Sequence, residues 1–158
     1  MEKMPITPDG YKKLQDEHSS LIKVDRPKIV AAIEEARAHG DLKENAEYHA
    51  AKEKQGFIEG RIQRLNYVIA HSEIIDPTKQ TDSNVVRFGA TVTYLNLDSD
   101  EETTWKIVGL EEADINERKI SLSSPIAKAL IGKEEGDEVT LKVPKGDVDV
   151  EISQIQYI

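Results

Sequence analysis

Asp41 and Glu44 are two carboxylates three positions apart in residues 40–48, the only break between two long helix-compatible segments. Two kinds of work are open to such a pair. With Asp41 at the N-cap and Glu44 at N3 it has capping-box spacing, and Gly40 at C′ would close the preceding helix. Pointing outward, the same acids can hold a divalent cation or position a water. Mg2+ often takes only one or two protein carboxylates and borrows its other ligands. Two acids are too few for a dedicated metal cage, but they can complete a site that a partner already owns. The readings are compatible if one acid caps while both stay exposed.

Positioning these acids is the task of the flanking segments. Thr7 and Pro8 form a helix start, and Tyr11, Leu14, His18 and Leu21 follow at 3-4-3 spacing. A second apolar series, Ile22, Ile29, Val30, Ile33 and Ala36, is out of phase by one residue, with Pro27 at the change. This predicts one helix over about 8–39, bent or locally unwound near residues 25–27. Tyr48, Ala51, Gln55, Ile58, Ile62, Leu65 and Ile69 form an unbroken heptad seam. The connection is short, so the two helices must fold back as an antiparallel coiled-coil hairpin of roughly 45 Å. Ala31, Ala32, Ala36, Ala38, Ala46, Ala50 and Ala51 cluster towards its tip. They make that end slender, either for insertion into a narrow opening or simply through alanine's helix propensity.

After Asp76-Pro77-Thr78, which is expected to stop the second helix, the period changes. Strands are expected at 85–88, 90–95, 103–108, 119–122, 138–143 and 148–152. One helix interrupts them, capped by Ser124, with Pro125 at its first position and Gly132 at its end. An antiparallel sheet on one short helix makes the fold class α+β. The expected divisions are an arm over 1–78, a linker over 79–84 and a sheet domain over 85–158. Trp105, alone on its strand, reads as core or as a ligand platform.

Composition narrows the function. The net charge of −9 is concentrated in residues 80–158, which carry 16 acids against 8 bases. That balance argues against general phosphate-backbone binding by this half. The absence of cysteine excludes disulfides and thiolate metal sites. No signal-peptide pattern or membrane-length apolar run is present, so a cytoplasmic location is expected. Near the tip, Arg37, Lys43, Lys52 and Lys54 form a sparse basic set that could be a solvated face.

The stretch ARAHGDLKENAEYHAAK, residues 36–52, resembles the tip signature of the Gre family of bacterial transcript-cleavage factors. SPIAKALIGKEEGD, residues 124–137, is similar to that family's C-terminal signature, and the likeness continues through 88–93 and 95–102. It covers essentially the whole chain. The resemblance implies an FKBP-like fold for the sheet domain, which by itself does not imply prolyl isomerase activity. It also implies that the hairpin enters the secondary channel of a backtracked RNA polymerase. There Asp41 and Glu44 would help hold a shared Mg2+ and an attacking water while the polymerase's active centre cuts the nascent RNA. On this view the chain is an accessory factor and not itself a nuclease, and Mg2+ belongs to the polymerase. Asn45 and Tyr48 would support the tip, Arg37 and Lys52 would contact the extruded RNA, and Ser124 and Pro125 would dock on the polymerase. The chain is expected to act as a monomer, without a membrane partner. Rival readings are a channel-entering inhibitor, a prolyl isomerase or chaperone with a coiled-coil arm, and a plain coiled-coil adaptor.

Overall fold

The computed structural model describes residues 2–158. The chain folds as two compact units: a helical unit, which runs from Tyr11 to Ser72, and a sheet unit, formed by Lys3–Gly10 with Glu73–Ile158. The fold is mixed α+β. Among the described residues no helix is long and apolar enough to cross a membrane.

In the helical unit, α1 (Pro8–Ser20) and α2 (Arg26–Arg37) are joined by a π-helical turn over Leu21–Asp25. The expected irregularity is present, but it lies in the five residues before Arg26 and not at Pro27. A π-turn inserts one residue into the helical path. That insertion accounts for the phase change between the two apolar series: Leu14 and Leu21 are seven apart, Leu21 and Ile29 eight apart, and all three are buried. Opposite them runs α3 (Ala46–His71), burying Ile58, Ile62, Leu65 and Val68. The seam leaves the heptad at its end, where Val68 takes the buried place expected for Ile69. Two bidentate ion pairs tie α3 to its partners. Arg61 holds Glu17 at 2.6 and 3.0 Å, and Arg26 holds Glu59 at 2.8 and 2.8 Å. Each draws its carboxyl below the usual range, chiefly through the hydrogen bonds from the guanidinium. His18 Nε2 also meets Asn66 Oδ1 at 2.6 Å.

The helix α3 stops at His71, short of Asp76-Pro77-Thr78. Ser72 turns to an extended backbone, and its hydroxyl donates to Val68 O at 2.6 Å. The strands β1 (Met4–Ile6) and β2 (Ser72–Ile74) then form a small sheet of their own, and Ile75 N donates to Ile6 O at 2.8 Å. Residues 3–10 and 73–78, expected in the arm over 1–78, fall in the sheet unit, as does the expected linker over 79–84. Three-residue strands carry too little alternation to be read from sequence.

The main sheet comprises β3 (Thr91–Asn96), β4 (Glu102–Val108), β5 (Lys119–Ser121), β6 (Glu138–Val143) and β7 (Gly146–Gln156), in the order β5-β4-β3-β7-β6. It is not wholly antiparallel. Lys106 is in register with Lys119 and Val108 with Ser121 in a parallel pair, because two 3-10 turns carry the chain back from the end of β4 to the start of β5. The segment 85–88 is not a strand. Val86 is buried, and its backbone bonds go to the turn at Gly132 and Lys133, with Val86 N donating to Lys133 O and Gly132 N to Val86 O, both 2.8 Å. The short helix α4 (Pro125–Leu130) buries Ala127 and Leu130 against the sheet core of Val92, Ile107, Leu141, Val150 and Ile152. Trp105 is half-buried at the edge of this core. Its indole N–H donates to Tyr94 Oη at 3.0 Å, and Arg118 stacks on its ring at 5.3 Å.

Candidate functional site at the hairpin tip

The tip is a turn closed by its own side chains. The last turn of α2 ends at Ala38, the C-cap, and His39 N donates to Ala36 O at 3.2 Å. Gly40 therefore lies one position beyond the expected C′. Its φ of +136° is a torsion that side chains resist, and no atom lies near enough to obstruct a Cβ, so the backbone angle alone calls for glycine.

Capping falls to a different residue from the one spacing suggested. Asn45, not Asp41, is the N-cap of α3: its Oδ1 accepts from Tyr48 N at 3.0 Å. Its Nδ2 donates to Ala36 O at 2.6 Å, so one side chain satisfies both the start of α3 and the end of α2. The capping box over Asp41 and Glu44 is overturned because helical geometry begins only at Ala46. Asp41 Oδ1 instead accepts from Lys43 N at 3.0 Å in a local turn. His49 Nε2 meets Lys43 O at 3.0 Å and pins the same turn from α3. Among the described residues the Glu44 carboxylate takes no hydrogen bond or ion pair. Asp41 and Glu44 are both exposed, and they line one open depression with His39, Asn45, Ala46 and Glu47.

This arrangement offers hard oxygen donors beside the positive end of α3. No group of three or more metal-ligating side chains exists among the described residues. Asp41 and Glu44 are the two carboxylates that the turn presents there, both exposed.

Tyr48 is half-buried in the first turn of α3, edge-on to the His49 ring at 5.6 Å. Arg37 is exposed in the last turn of α2. Lys52 is exposed on α3 and donates to Gln55 Oε1 at 3.1 Å. Ser124 and Pro125 belong to the sheet unit. Ser124 Oγ accepts from Ala127 N at 3.2 Å as the N-cap of α4, and Pro125 occupies its first position. Sequence reading missed the capping role of Asn45, although asparagine's place among the preferred caps is a signal for it. It also missed His49, whose bond to a turn carbonyl leaves no sequence mark.

Comparison with known proteins covers both units. Residues 4–74 match the family model described as transcription elongation factor, N-terminal, and residues 80–157 match the one described as transcription elongation factor, GreA/GreB, C-term. The chain is 54% identical over 156 residues to the transcription elongation factor GreA of Francisella tularensis subsp. novicida (strain U112), spanning 99% of this chain and 98% of that relative. The same values hold for the GreA of Francisella tularensis subsp. tularensis (strain SCHU S4 / Schu 4). Among solved structures, GreA factor homolog 1 (Gfh1) of Thermus thermophilus is 25% identical, with 98% of this chain and 99% of that chain covered and a TM-score of 0.45.

Proposed function

Since the chain belongs to the GreA/GreB family of transcription elongation factors, we propose that it stimulates RNA polymerase's own cleavage of backtracked nascent RNA. In this reading the hairpin tip enters the polymerase's secondary channel and presents Asp41 and Glu44 to an active centre that already holds Mg2+. The chain is an accessory factor there: it brings two carboxylates and relies on the polymerase for the remaining ligands and for the substrate. The chemistry supplied by bound Mg2+ is activation of a water and stabilisation of charge on the phosphodiester.

The observation that carries this reading is the division of labour in the tip. Asn45 caps α3 and ties it to α2, so the fold does not draw on Glu44 and engages one oxygen of Asp41. Freed from capping, the two acids can accept from a water and share a cation. Asn45, Tyr48 and His49 hold the turn that carries them. Arg37 and Lys52 lie on exposed helix surface where they can meet RNA phosphates, and so sparse a basic set fits the GreA-like members of the family. Ser124 and Pro125 are the docking residues of this proposal.

The test is a backtracked elongation complex with and without the full chain. The wild-type protein should release short RNA products in a Mg2+-dependent manner. Replacing both acids, Asp41→Asn with Glu44→Gln, should lower that stimulation by about 100-fold or more while binding persists, since those groups act at the reacting centre. Normal cleavage by the double variant would sink the proposal. A factor that only blocked the channel would slow elongation without releasing short products.

A further inference from the structure

The Glu112 carboxylate is the most heavily used acid in the sheet unit, and the proposed chemistry gives it no part. Glu112 lies in the 3-10 turn that follows β4. Its Oε2 accepts from Gly109 N at 2.8 Å and from Thr7 N at 3.1 Å, and its Oε1 accepts from the Thr7 hydroxyl. The Thr7 hydroxyl in turn accepts from Gly10 N at 3.1 Å and so caps the first turn of α1. Thr7, Gly10 and Gly109 are all buried. The fit leaves no spare room: a Cβ on Gly10 would collide with the Glu112 carboxylate, and one on Gly109 with the Pro5 carbonyl. Glycine is a poor helix former, yet it stands in the first turn of α1 where the carboxylate passes.

From this geometry we propose that Glu112 is a positioning residue for transcript cleavage, a latch that holds the root of α1 on the sheet unit. The proposal rests on the function proposed above. All the latched residues, Lys3–Gly10 and Glu112, belong to one compact unit, and the rest of α1 continues from Gly10. A swing of about 10° at the root of a helical arm of about 45 Å displaces its far end by about 8 Å. Reacting groups lose rate with far smaller misplacements. A latch at the root therefore acts on how often Asp41 and Glu44 arrive in a productive place, without touching RNA or metal.

The full-length chain is titrated into backtracked complexes as wild type, Glu112→Ala, Glu112→Gln and Thr7→Val, and amide exchange is followed at Thr7, Asp9 and Gly10. Glu112→Ala and Thr7→Val should lower the cleavage rate at saturating factor roughly tenfold or more. The half-saturating concentration should move by less than about threefold, because the lost contact serves rate and not uniform binding. Glu112→Gln keeps an acceptor for the two backbone amides and should retain most of the rate. Exchange at Gly10 should quicken in the two impaired variants. The proposal is overturned if Glu112→Ala cleaves at the full saturated rate, or if exchange over residues 7–10 is unchanged. If Glu112→Ala fails to fold, Thr7→Val decides: full rate with unchanged exchange overturns the latch. A wild-type protein that stimulates no cleavage defeats the functional reading instead, and the exchange data still show whether the latch exists.

Discussion

The start of α4 and the start of α3 differ in what they leave over. At α4, Ser124 caps the helix, and the neighbouring hydroxyls of Ser121 and Ser123 bond to each other at 2.8 Å. That turn's polar side chains are absorbed by the turn itself. At α3 the capping rests on Asn45, and the turn before it carries Glu44, with no hydrogen bond or ion pair among the described residues, and Asp41 with a local one. Local polarity is common to both turns, but only the second holds charge that its own backbone does not require. Such surplus is where a binding or catalytic role becomes the economical explanation of a residue.

Breaking that contrast begins with the tip acids. Beyond the loss of stimulated cleavage of about 100-fold, replacing Asp41 and Glu44 should leave thermal unfolding nearly unchanged, within about 0.5 kcal/mol, as for surface substitutions. A large stability loss would mean that the acids serve the fold after all. Asn45→Ala should do the opposite. Removing the cap should cost about 1–2 kcal/mol and speed amide exchange at Tyr48, with a smaller loss of cleavage. Ser124→Ala should cost about 1 kcal/mol, read by denaturation of the sheet unit. Ser124→Asn, which keeps a cap, separates folding from docking: under the proposed docking it should still raise the concentration of factor needed for half-maximal cleavage.

The smallest effect concerns pH. Glu17 and Glu59 are held below their ordinary values by the guanidiniums of Arg61 and Arg26. Their stabilising contribution is complete above the unfolded carboxylate value of about 4.3, and it is lost as pH falls through the lower folded values. Both pairs are more than a third exposed, so the helical unit should loosen only slightly below about pH 4. Helicity measured from about pH 6 to about pH 2.5, in wild type and in Arg61→Met, would detect it as a difference in the acid limb.

Much of this molecule is legible in its sequence wherever one residue's neighbours along the chain decide its role. The Ile58, Ile62 and Leu65 seam, the strand at 138–143 and the helix start at Ser124 and Pro125 belong to this kind. Reading fails where a distant partner decides. Asn45 starts α3 through its bond from Tyr48 N, but its second bond, to the Ala36 carbonyl nine residues back, is encoded by no local spacing. The parallel pairing of β5 depends on the path of two 3-10 turns, and Lys3–Gly10 joins the sheet unit through Glu112, more than a hundred residues away in sequence. At the tip, the types of the two acids are plain from sequence. Their release from capping is visible only through the partners of a third residue, Asn45.

The π-turn at Leu21–Asp25 has a mechanical meaning of its own. It acts as a one-tooth slip between gears. Leu14 and Leu21 are buried on one setting, and Ile29, Ile33 and Ala36 on the next. Without that slip the second run would arrive about 100° out of phase, and the far end of α2, with the Ala36 carbonyl that Asn45 grips, would face elsewhere. The rotational setting of the tip is thus decided some four helical turns before the chain reaches it.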